Sequence, residues 1–219
     1  MINPKATALI QNYSDDALWK LINDRNHNLT RAFEPLSDLQ DDIHPEVNKL
    51  GEIEFSAAER LLVCSIAVAH SLTERSGKKA QFDLAKKILA RYNNDFDGIF
   101  VFHDPEGNFR FSLIYANYYG TRRSFSNYRR FTYYVSKRLT NKTFIQRVGE
   151  GDFTTLDGIK EAFSVEKVTK EFYADISNWF DWALQTVKFP DGARVSEKGF
   201  EMSVIRLITR MIFIWFMRV

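Results

Sequence analysis

A chain of 219 residues is long enough for one large domain or two small ones. At 45% hydrophobic and 26% charged residues it has an ordinary globular composition, and its single cysteine, Cys64, excludes an internal disulfide framework and points to a reducing compartment. The net charge of +2 conceals a division: Gly107 to Gly149 holds nine Lys or Arg and no acid, a local +9, which leaves −7 for the rest.

The predicted elements begin with "SDDALWKLINDRNHNLTRAF", where Ser14 caps an acidic first turn and Leu18, Leu21 and Ile22 share a helical face. Two prolines and a cluster of acids make residues 33–49 a loop. In "GEIEFSAAERLLVCSIAVAH" two apolar runs flank a short polar break, the pattern of a hairpin. Its second run is apolar enough to be a central strand covered on both faces. "SGKKAQFDLAKKILARY" spaces Phe82, Ala85, Ile88 and Leu89 as a helix with basic residues on its other face. A second hairpin follows in "DGIFVFHDPEGNFRFSLIYANYY", turning at Asp104–Asn108, and "RRFTYYVS" forms one more strand.

Beyond Gly151 the periodicity becomes helical, in "TTLDGIKEAFS", "SVEKVTKEFYADISNWFDWALQTV" and "FEMSVIRLITRMIFIWFMRV". The expected organisation is a mixed α/β domain over residues 1–150 and a helical connector over 151–219, an α+β fold overall. The last helix is apolar all round and uncapped, which suggests that the chain continues in a longer parent. Its apolar run, Val204 to Met217, is too short to span a bilayer and carries Arg206 and Arg210, so no membrane is expected. The amino terminus has no basic-then-apolar signal pattern, and the expected location is the cytoplasm.

Two constellations carry possible chemistry. Helix, strands, helix and strand across residues 15–103 follow the order of a PD-(D/E)xK nuclease core, in which strand carboxylates and a lysine hold Mg²⁺ against a phosphate. Glu52, Glu54 and Asp97 are the candidate carboxylates, but Ser65 and Ala67 stand where the charged pair should be. The four histidines and Cys64 show no metal-ligand spacing. The second constellation is "GTRRSFSNYRRFTYYVSKRLTNK". Its candidate DNA contacts are Arg122, Arg123, Arg129, Arg130, Lys137, Arg138 and Lys142, with Tyr134 able to stack on a base. Strand alternation puts Phe131, Tyr133 and Val135 on one face, and Arg130, Thr132 and Tyr134 on an outward one. A solvated basic edge strand is the competing reading.

"FDGIFVFHDPEGNFRFSLIY", "RRFTYYVS", "FSVEKVTKEFY" and "VIRLITRMIFIWF", in that order, resemble the N-terminal region of type IIG single-chain restriction–modification enzymes, adenine-specific DNA methyltransferases fused to an endonuclease. The resemblance covers about residues 50–219. It implies a DNA partner, the rest of a parent chain, and S-adenosylmethionine and Mg²⁺ as the parent's cofactors. This segment has neither an FxGxG-type S-adenosylmethionine loop nor two adjacent prolines, so no cofactor is expected here. A Mg²⁺-dependent nuclease and a protein-interaction scaffold with a basic strand are the alternative readings.

Overall fold

β-Branched and aromatic residues build a mixed six-stranded sheet. The computed structural model describes residues 3–75, 77–119, 122–126, 131–189 and 197–217. They form two units, Met1–Ser164 and Val165–Val219. The first contains α1 (Pro4–Gln11), α2 (Asp15–Arg25), β1 (Leu29–Pro35), β2 (Val47–Ser56), β3 (Glu59–Ala67), α3 (Lys78–Arg91), β4 (Asp97–His103) and β5 (Phe109–Ile114). A separate hairpin follows, β6 (Ala116–Tyr119) with β7 (Arg122–Phe125), before β8 (Thr132–Val135) returns to the sheet beside β5, in the order β1-β2-β3-β4-β5-β8. Helix α4 (Lys142–Phe144) runs into a π-helical turn, Ile145–Gly149, and α5 (Leu156–Ala162) closes the unit.

The two expected hairpins form as read: β2 pairs with β3 and β4 with β5, all antiparallel. Strands β3 and β4 are parallel, joined through α3, and β3 is buried across Leu61–Ile66 because helices cover both of its faces. On one face Leu61, Val63, Ile99, Phe111 and Val135 pack against α1, α2 and α5. On the other Leu62, Cys64, Phe100 and Phe102 pack against Leu84, Ala85, Ile88 and Leu89 of α3.

Three expectations change. The helix expected from Ser14 onward is α2 and ends at Arg25, where the buried side chain of Asn26 donates to the Phe153 carbonyl at 2.7 Å and accepts from the Asn28 amide at 2.8 Å. Leu29–Pro35, read partly as helix and partly as loop, is instead the edge strand β1; its Thr30, Arg31 and Phe33 are exposed, so it lacks the apolar alternation of a strand. The boundary expected after residue 150 lies after Ser164, because Phe153, Leu156, Ile159 and Phe163 belong to the sheet's core.

In the second unit α6 (Val165–Thr186) and α7 (Glu197–Met217) meet through Ile176, Phe180, Ala183, Val204, Ile208 and Ile212. A helix pair cannot bury an apolar surface of this size, and Trp179, Trp182, Phe213, Ile214 and Trp215 remain exposed. No described helix is long and apolar enough to cross a membrane.

Candidate nucleic-acid interface

Because β3 and β4 are parallel and β5 and β8 antiparallel, the ends of β3, β4 and β8 and the start of β5 lie at one end of the sheet. Three connections emerge there: residues 68–77, the turn Asp104–Asn108 and the turn Ser136–Asn141. The buried carboxylate of Asp104 organises the first two. It accepts from the Leu72 amide at 2.7 Å and from the Asn108 amide and side-chain nitrogen, each at 2.9 Å. Ser71 Oγ donates to Glu106 at 2.6 Å, and the fully buried Arg110 reaches the Thr73 carbonyl at 2.6 Å and also bonds Gln81.

The third connection is held by Asn141, whose backbone is left-handed (φ 50°) and whose side chain donates to the carbonyls of Ser136 (2.8 Å) and Leu139 (2.9 Å). Its exposed side chains include Lys137, Arg138 and, at the start of α4, Lys142; none forms an ion pair with a described acid. A Cβ at Gly107 (φ +81°) would sit 3.7 Å from the Lys137 ammonium, so this turn lies against the β4–β5 turn. Helix α3 runs back from the same end of the sheet. Its first turn contains Lys78 and Lys79 and no acid, with Arg75 just before it. Arg75, Lys78 and Lys79 are cations that reading the 120–142 stretch alone overlooked; their signal was the "RSGKK" run ahead of the helix. Against these six cations stand the exposed carboxylates Glu74 and Glu106.

The basic stretch itself is divided. Lys137, Arg138 and Lys142 belong to this end. Arg122 and Arg123 pair with Tyr119 and Tyr118 near the tip of the β6–β7 hairpin, which leaves β5 at the other end, where the Ala116 amide donates to Asp97 at 2.8 Å. Arg129 and Arg130 lie outside the described residues. The outward face expected for β8 is covered. Thr132 bonds Ser112 at 2.8 Å, and the half-buried Tyr134 packs on the α3-side core and donates its hydroxyl to the Leu72 carbonyl at 3.0 Å. Burial raises the Tyr134 phenol pKa. Its ring holds the basic end together and is not presented to a base.

The three nuclease candidates do not converge. Ile53 and Asp97 both pair with Leu61 and share its face, whereas Glu52 pairs with Leu62 and, with Glu54 two residues on, faces α3. Glu52 is bonded to Lys49, whose ammonium lies 4.9 Å from the Tyr92 ring centre. Asp97 therefore lies on the other face of the sheet from Glu52 and Glu54, so the three carboxylates do not share one ion. At Ser65, where a charge would be needed, the side chain is buried and bonded to the Tyr13 hydroxyl at 2.9 Å. Burial raises the Tyr13 phenol far above its ordinary range and pushes the Cys64 thiol up to about 12, so both stay protonated and unreactive.

Tyr13 also stacks on His103 at 4.4 Å. Burial lowers the His103 pKa, although Asp15, Glu46 and Asp104 pull it upward. Above the unfolded value of about 6.5 neither state takes the proton; below it the unfolded chain binds first, so stability falls with pH. Between about pH 7 and 5 the unsubstituted protein should lose denaturation midpoint, and His103→Phe should flatten that loss. Asp24, whose carboxyl is held low by Lys5 and Arg25, is lost only below the ordinary carboxylate range and does not contribute in that window.

Comparison with protein-family models, curated proteins and solved structures finds nothing that matches this chain.

Proposed function

We propose that this chain is the DNA-facing N-terminal module of a type IIG restriction–modification protein, acting in the cytoplasm and gripping the phosphate backbone with the basic end of its sheet. The observation that carries the DNA reading is the gathering of Arg75, Lys78, Lys79, Lys137, Arg138 and Lys142, from segments some sixty residues apart, on connections held by side-chain hydrogen bonds to the backbone, the Asp104–Leu72 bond among them buried. Fixed cations on a rigid scaffold favour a polyanion, since each phosphate contact releases condensed counterion. The link to the restriction–modification family rests on the sequence resemblance. The apolar surface that α6 and α7 leave uncovered supports a further partner, which in that family would be the remainder of the parent chain. Methyl transfer and S-adenosylmethionine binding would belong to that remainder.

Binding of a labelled duplex measured over a range of salt tests the DNA reading. Four to six phosphate contacts give a log–log slope of about −4 to −5. Arg129→Ala with Arg130→Ala should reduce it by about 2 if each of those side chains also touches a phosphate. A flat salt response with an acidic protein partner would replace DNA by the scaffold reading. Mg²⁺-dependent cleavage lost in Glu54→Gln would restore the nuclease.

A further inference from the structure

The turn between β8 and α4 presents one apolar side chain among its cations. Leu139 is 52% exposed, and it follows Lys137 and Arg138 and precedes Lys142. A single exposed leucine is ordinary on a protein surface; this one is held in place by its backbone. Its amide donates to the Ser136 carbonyl at 3.0 Å and its own carbonyl accepts from Asn141 at 2.9 Å, while the Arg138 amide donates to Ser136 Oγ at 3.3 Å. Ser136 is itself buried at the end of β8. The side chains of Lys137, Arg138, Leu139 and Lys142 take no part in these bonds. The turn therefore presents an apolar tip at a fixed position, bracketed by positive charge and carried by the main sheet.

That combination suits one feature of duplex DNA. The minor groove is about 6 Å wide and walled by phosphates, so a side chain entering it needs a small apolar tip and cations beside it to meet the walls. Proteins that do this place an apolar residue between base pairs, partly unstacking a step and bending the duplex by roughly 20–90°. Resting on the DNA reading above, we propose that Leu139 is a minor-groove wedge, with Lys137, Arg138 and Lys142 on the flanking phosphates, and that the protein bends the duplex it binds. The wedge gives the basic end a preference for flexible pyrimidine–purine steps, which unstack at the lowest cost, without any base-edge contact.

Energy transfer between dyes at the two ends of a short duplex, read with the whole chain bound, tests this. The expected result is a shortened end-to-end distance with the parent protein and a return to the straight-duplex value with Leu139→Ala, at an unchanged salt slope. Leu139→Phe should keep the bend. Because Leu139 is half exposed and its turn is held by backbone and Asn141 contacts, Leu139→Ala should unfold at the same denaturant midpoint as the parent. Salt-dependent binding to a duplex that stays straight, or a bend that survives in Leu139→Ala, would overturn the wedge and leave the DNA reading standing. Absence of duplex binding would remove both.

Discussion

Lys137→Ala, Arg138→Ala and Lys142→Ala combined should weaken duplex binding by about 500-fold at about 0.1 M salt and make the log–log salt slope shallower by about 2.7, at about 0.9 per lost phosphate contact. The three side chains are exposed and make no ion pair with a described acid, so their removal breaks no described ion pair. The triple variant should therefore unfold at the parent's denaturant midpoint. Arg122→Ala with Arg123→Ala is the natural comparison, because those residues sit on a hairpin that leaves the sheet at its other end. If the hairpin pair costs as much as the turn cations, the duplex follows the whole stretch from end to end. If the triple variant binds as tightly as the parent, the basic end is a solvated surface and the DNA reading is wrong.

The second large effect is structural. Asp104→Ala removes the acceptor for two backbone amides, Leu72 and Asn108, and leaves the buried one without a partner. An orphaned buried donor costs about 1–3 kcal/mol and the lost bond to the more exposed amide about 1 kcal/mol more, so the variant should lose about 2–4 kcal/mol of stability in denaturant titration. Asp104→Asn keeps one acceptor oxygen and should lose less. Partial loss of function should accompany the stability change, since Leu72 also receives the Tyr134 hydroxyl and the β4–β5 turn lies against Lys137. A variant with parental stability would mean that the two connections are held by other contacts. One with parental DNA affinity despite the stability loss would detach this scaffold from binding.

Much of the fold is legible in the chain because its signals are local. The apolar run from Leu61 to Ile66 reads as a central strand, the spacing of Ala85, Ile88 and Leu89 as a buried helix face, and "DPEGN" as the turn between β4 and β5. Strand β1 was not legible, since an exposed edge strand is held by backbone pairing with β2, which imposes no side-chain pattern. The charged stretch was legible as a bias in composition and misleading as a surface. Cations close in sequence share a surface only where the fold keeps their segments on one side, and here the β6–β7 hairpin and the turn after β8 leave opposite ends of the sheet.

By itself the sequence determined which segments are strands and helices over most of the sheet, that the middle of that sheet is buried on both faces, and that positive charge is concentrated between residues 107 and 149. These follow from side-chain periodicity over a few residues. Only the tertiary structure decided which cations share a surface. The parallel pairing of β3 with β4 brings the start of α3 to the end of the sheet where β8 finishes, so Arg75, Lys78 and Lys79 join Lys137, Arg138 and Lys142. The β6–β7 hairpin, which bears Arg122 and Arg123, branches from the sheet at the other end of β5. Register likewise sets Asp97 on the opposite face from Glu52 and Glu54, and a hydroxyl bonded to Leu72 takes Tyr134 out of reach of a base. Strand order and direction depend on hydrogen-bond partners tens of residues apart, and no local pattern of side chains records them.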